Sequence, residues 1–96
     1  MIVELDCAAM SDRKSLHGYL AAKLQFPDDY GKNLDALFDL LSSHPEQVLI
    51  RVKDPEMLES HLGNYGKNLI QTLQDAAREN PKLTVEINIE KNKNST

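Results

Sequence analysis

PDDYGKNLDALFDLL, running from Pro27 to Leu41, carries a turn, a helix cap and an amphipathic helix in one stretch. Asn33 is a strong N-cap residue, because its side-chain oxygen can accept a backbone N–H from the first helical turn. A helix from there to about Ser42 is expected, ended by His44-Pro45, since the residue before proline avoids helical geometry. At about 100° per residue, Leu34, Leu37 and Leu41 share one face and point to a core. Asp35 and Asp39 stack one turn apart on the opposite flank, with Phe38 at the border between the faces.

Outward from this stretch, the chain reads as alternating strands and helices. Upstream, IVELD (Ile2 to Asp6) alternates apolar and polar residues and predicts a strand. Ser11 is expected to cap a helix, with Asp12 in its first turn. Leu16, Leu20 and Leu24, joined by Tyr19, repeat at helical spacing until Phe26-Pro27-Asp28 stops the run.

Downstream, QVLIRVK (Gln47 to Lys53) is rich in β-branched residues and predicts a second strand. Asp54-Pro55 opens a short helix, with Pro55 at its first position. A longer helix should end near Asn80-Pro81, with Leu69, Ile70, Leu73, Ala76 and Ala77 inward. LTVEINI (Leu83 to Ile89) alternates and predicts the last strand, whereas residues 90–96, EKNKNST, have nothing to bury and are expected to be disordered. The order β-α-α-β-α-α-β predicts an α/β fold, a small three-stranded parallel sheet packed against helices, in a single domain over residues 1–89.

YGKNL occurs twice, at Tyr30 to Leu34 and at Tyr65 to Leu69. The segments share almost nothing outside those letters: Asp35 would align with Ile70 and Asp39 with Gln74. A solenoid repeat would keep its apolar spacing and recur at least about three times. The echo therefore reads as shared helix-entry chemistry, with Asn64 or Asn68 capping the second helix.

Composition narrows the function classes. With 96 residues, 41% of them hydrophobic and 27% charged, the chain has room for one core. No apolar run approaches the roughly 20 residues of a membrane helix, and MIVELDCAAM lacks the features of a secretory signal. A cytoplasmic location is the expectation, in agreement with a lone cysteine, Cys7, read as a buried thiol at a strand end. His17 and His61 are expected to be solvated. Neither a zinc spacing nor a calcium or phosphate loop is present, so no cofactor and no metal are expected.

Fifteen acids against eleven bases give a net charge of −4, which disfavours nucleic acid as a direct ligand. The window from Phe26 to Gln47 holds Asp28, Asp29, Asp35, Asp39 and Glu46 against Lys32 alone. Its net charge of −4 equals that of the whole chain, so the acid forms a patch. Asp35, in a first helical turn, is explained by the helix dipole. Asp39 is not. It lies toward the carboxyl end, where negative charge is disfavoured, and it repels Asp35 by roughly 0.2–0.5 kcal/mol. A binding role for the patch follows more readily than metal binding or acid–base catalysis by the pair, since nothing supplies a nucleophile or an oxyanion donor.

The segment PDDYGKNLDALFDLL resembles the central motif of barstar and its relatives, inhibitors of secreted microbial ribonucleases. The resemblance spans the chain except its last seven or so residues. It implies that the second helix and the loop before it plug a ribonuclease active site, as a monomer in a one-to-one complex, with no enzymatic activity of its own. Asp39 would take the place of the substrate phosphate, and Asp35 would accept hydrogen bonds at the pocket edge. Gly31 and Asn33 would add backbone and polar contacts, and Asp75, with Thr72 one turn before it, a peripheral charge contact.

Where the family usually has aromatics or glycine, this chain has Asp29 (before the retained Tyr30), Phe38, Ser43 and His44. The implied partner is a basic microbial ribonuclease or a nuclease toxin domain. The alternatives are a regulatory interaction module of the same fold, binding through another surface, and a small metal-assisted hydrolase using Asp35 and Asp39.

Overall fold

The three strands form where alternation, and for the second β-branched richness, predict them. A computed structural model describes residues 1–88, in which the elements are β1 (Ile2–Asp6), a single 3-10 turn (Cys7–Ala9), α1 (Arg13–Leu24), α2 (Leu34–Ser42), β2 (Val48–Lys53), α3 (Glu56–Leu62), α4 (Asn64–Glu79) and β3 (Leu83–Asn88). The last residue expected in β3, Ile89, and the tail at 90–96 lie outside the described residues. The strands are parallel in the order β1-β2-β3, with Val3 opposite Ile50 and Ile50 opposite Val85. Both β-α-α-β crossovers run in the same direction along the sheet, so right-handed connections place all four helices on one face.

The inward residues Val3, Leu5, Val48, Ile50, Val52 and Leu83 are buried against Leu16, Leu20, Leu37, Leu41, Leu58, Leu69 and Leu73 from the helices. The opposite face is open to solvent and carries Glu4, Asp6, Arg51, Lys53, Thr84 and Glu86. Parallel sheets are usually covered on both faces. This one is short, and its outer face is polar apart from the exposed Ile2 and the half-buried Leu49, paired at one end. No helix among the described residues is long and apolar enough to cross a membrane.

Several local expectations need correction. Asp12, not Ser11, caps α1: its carboxylate accepts the Ser15 N–H at 2.7 Å, joining a cap bond to a favourable dipole contact. The helix turns off at Gln25, whose backbone is left-handed (φ 58°), one residue before Phe26. Neither Asn64 nor Asn68 caps α4. Gly63, with φ 59° and ψ −132°, joins α3 to α4 directly, a conformation open to glycine and strained for other residues. The second YGKNL therefore lies at a helix start, as expected, but within the first turns of α4, where its asparagine caps nothing. His17 is not solvated but 2% exposed, while His61 is exposed as expected. Cys7 is buried immediately after β1, and burial pushes its thiol up to about 12, which makes it inert as a nucleophile.

Candidate functional site

The loop before α2 is built by short-range hydrogen bonds. The Tyr30 N–H donates to the Pro27 carbonyl at 3.0 Å, closing a turn. Lys32 takes a left-handed backbone (φ 57°) and swings Asn33 into the capping position. Asn33 Oδ1 accepts the Ala36 N–H at 2.7 Å, and its Nδ2 donates to the Gly31 carbonyl at 3.3 Å. One side chain thus fixes both the helix start and the loop that enters it.

On α2, Leu37 and Leu41 are buried while Leu34 and Phe38 are half-buried and pack on the core. Asp35 and Asp39 are exposed, as the wheel requires. Asp35 lies in the first turn; the last turn contains no base to offset Asp39. Among the described residues, Asp28, Asp29, Asp35, Asp39 and Glu46 have no cation within ion-pair distance, and the ion pairs present all lie elsewhere. No group of three or more His, Cys, Asp or Glu among the described residues converges as a metal site would require.

The carboxyl end of α2 is fastened from two sides. Ser43 Oγ donates to the Asp39 carbonyl at 2.6 Å. The half-buried His44 receives the Glu46 N–H on Nδ1 at 3.2 Å. Asn80, at the end of α4, is buried and donates through Nδ2 to the carbonyls of Leu41 (2.9 Å) and His44 (3.1 Å). Its Oδ1 accepts the Lys82 N–H at 3.0 Å, so both halves of the amide are used. In the sequence Asn80 reads only as a helix terminator, and an asparagine before proline carries no signal for a contact 39 residues away.

Thr72 and Asp75 lie on α4, which packs against α2. Thr72 Oγ1 donates to the Asn68 carbonyl at 2.8 Å, bonding back along its own helix. Asp75 is partly exposed and already engaged, accepting from Gln71 Nε2 at 2.9 Å and pairing with Arg78. Asp39, by contrast, has a carboxylate with no partner among the described residues. Asp29 and Gly31 are exposed in the loop, but Tyr30 is only 7% exposed, with its ring tilted against Phe26 and its hydroxyl 2.7 Å from His17 Nδ1. Tyr30 thus supports the loop from beneath.

The motif, the fold and this placement of the acids meet in the comparisons with known proteins. The family model described as "Barstar (barnase inhibitor)" matches residues 1–90. The chain belongs to the barstar family. It is also 42% identical over 65 residues to the Bacillus subtilis (strain 168) protein named "Putative ribonuclease inhibitor YrdF", a match covering 67% of this chain and 71% of that one. The barstar-family match takes in every strand and helix described above, including the loop, α2 and the part of α4 that carries Thr72 and Asp75.

Proposed function

We propose that this chain is an intracellular protein inhibitor of a ribonuclease or related nuclease toxin, which it blocks by inserting α2 and the preceding loop into a basic active-site cleft. Asp39 mimics the substrate phosphate, Asp35 accepts hydrogen bonds beside it, and Gly31 and Asn33 supply contacts from the loop. Asp29, Phe38, Ser43 and His44 form the rim, Tyr30 holds the loop in place, and Thr72 and Asp75 add contacts from α4. The inhibitor acts as a monomer and forms a one-to-one complex.

The observation that carries this reading is the exposed Asp39 carboxylate, unpaired among the described residues, at the unfavourable end of its own helix. A charge kept at a cost to the free protein is explained when a partner supplies the missing cations. The family membership and the YrdF likeness support the same partner class. Asp28, Asp29, Asp35, Asp39 and Glu46 line neither the hollow of about 370 Å³ beside Gly66 nor the one of about 510 Å³ over the open sheet face, which suits a surface that enters a cleft. A short aspartate on a rigid helix also loses less freedom on docking than a flexible glutamate would.

The test is inhibition of basic, guanyl-specific microbial ribonucleases by the purified chain, repeated at increasing salt. Inhibition is expected, with an association rate that falls steeply as salt screens the acidic patch. Asp39→Ala should weaken inhibition most and Asp35→Ala next. Inhibition that survives Asp39→Ala unchanged would refute the phosphate mimicry. Binding to another protein, unaffected by replacing the acids with asparagine, would point to an interaction module instead.

A further inference from the structure

His17 on α1 is buried, and both of its ring nitrogens are occupied by tyrosine hydroxyls. Tyr30 Oη lies 2.7 Å from Nδ1 and Tyr65 Oη 2.7 Å from Nε2. The two tyrosines come from different parts of the fold: Tyr30 from the loop before α2, and Tyr65 from the first turn of α4. Tyr65 is half-buried, and its ring has the Arg13 guanidinium 4.1 Å from its centroid. Burial of the imidazole, and after it the same cation, favours neutral His17.

We propose that His17 and Tyr65 are positioning residues of the binding surface, tying the loop that carries Gly31 and Asn33 to the helix that carries Thr72 and Asp75. This rests on the inhibitor reading above. The direction of the bonds follows from satisfiability. Tyr30 is buried and, among the described residues, finds an acceptor for its hydroxyl proton only at His17, so it donates to Nδ1. The proton of neutral His17 is then on Nε2, from which it donates to Tyr65 Oη. The half-buried Tyr65 hydroxyl turns its own proton to water.

The result is a directed chain, Tyr30 to His17 to Tyr65, in which every member is satisfied. Reversing it would leave a buried phenol proton without a partner, which is costly. The loop backbone itself is held mainly by a turn bond and the Asn33 amide. The Tyr30 side chain is what anchors it to the body of the protein, and His17 and Tyr65 determine where that anchor sits. A surface held in its bound form before docking gives up less entropy on binding.

Tyr65→Phe tests this, since it removes one hydroxyl and keeps the ring under Arg13. In the free full-length variant, amide hydrogen exchange at Tyr30, whose N–H is held by the Pro27 carbonyl, and at Ala36, whose N–H is held by Asn33 Oδ1, should accelerate about three- to tenfold, the worth of one hydrogen bond. ¹⁵N NMR of the wild type at neutral pH should show His17 protonated on Nε2. Against a ribonuclease that the wild type inhibits, the variant should dissociate about three- to tenfold faster with its association rate unchanged, because the charges that steer the encounter are untouched.

Tyr30→Phe and Tyr65→Phe should combine less than additively, since each breaks the same chain. Wild-type exchange rates at the Tyr30 and Ala36 amides in Tyr65→Phe, or a proton on Nδ1, would overturn the proposal. If loop exchange responds as expected but the wild type inhibits no ribonuclease, the positioning chain stands and the inhibitor reading fails. Inhibition by the wild type with unaltered dissociation in Tyr65→Phe fails the positioning alone.

Discussion

The two copies of YGKNL use the same five letters for different physics. In the first, Tyr30 is buried, Gly31 is exposed in a loop, Lys32 takes a left-handed backbone, Asn33 caps α2 and Leu34 begins it. In the second, all five residues are helical: Tyr65 leans on His17, Gly66 is buried, Lys67 pairs with Glu59 at 3.3 Å, Asn68 is exposed and Leu69 is fully buried. The tyrosines alone keep a common role, and they meet on opposite sides of one imidazole. What each segment does is therefore set by its neighbours, and the neighbours differ.

The largest expected difference is functional. Nine residues after each tyrosine stand Asp39 and Gln74, both exposed. Asp39→Ala should cost about 2 kcal/mol or more of affinity for an inhibited ribonuclease, whereas Gln74→Ala should leave inhibition constants near the wild-type value. In the free protein the sign reverses: Asp39→Ala should raise stability by roughly 0.3–1 kcal/mol, by removing negative charge from the carboxyl end of α2. Urea titration of the unbound variant would show it.

The glycines come next. A Cβ on Gly66 would sit 2.5 Å from the Leu58 carbonyl oxygen and 2.7 Å from its carbon, atoms of the α3 backbone that cannot swing aside. Gly66→Ala should destabilise by about 1–3 kcal/mol as α3 and α4 are forced apart. At Gly31 the nearest atom is the Ala36 methyl, at 3.2 Å. Gly31→Ala should stay within about 1 kcal/mol of the wild type, because the strain is offset by a less free unfolded chain. Equal midpoints for the two variants in thermal or urea unfolding would erase the contrast.

The asparagines differ by less. Asn33→Ala should lose about 1 kcal/mol with the cap, whereas Asn68→Ala, on an exposed helical position, should gain a few tenths. Unfolding midpoints of the two variants, measured side by side, would have to move in opposite directions.

The smallest effect joins the two copies. Burial of His17, with Arg13 nearby, lowers its pKa below the ordinary 6.5, so the unfolded chain takes up the proton first as pH falls. The stabilisation from neutral His17 is whole above pH 6.5 and is lost as the pH drops from there to the lowered native value. Stability should fall between pH 7.5 and 5.5, and His17→Gln should flatten that slope. An unchanged slope in the variant would assign the pH dependence to other groups.

Much of the fold is legible in the order of residues. IVELD and LTVEIN announce half-buried strands through their period of two, and Leu37 and Leu41 announce the inner face of α2 through a helical one. The same wheel placed Asp35 and Asp39 in solvent, and the capping chemistry of Asn33 operates within three residues. Those features are local, so residue order alone contains them. The burial of His17 was not legible, because its partners lie 13 and 48 residues away and a lone histidine on a helix carries no sign of them. Nor was the role of Gly66, since the backbone that excludes a side chain belongs to another helix.

The sequence by itself thus determined where strands and helices form, which face of α2 is apolar and where the negative charge gathers, since spacing and residue chemistry act over a turn or two. Only the tertiary structure decided that one YGKNL is a loop and cap and the other the opening turns of a helix, that Asn80 fastens the end of α2, and that two tyrosines share one histidine. Close approach of distant backbones and the pairing of buried polar groups depend on three-dimensional contacts, which residue order constrains but does not display.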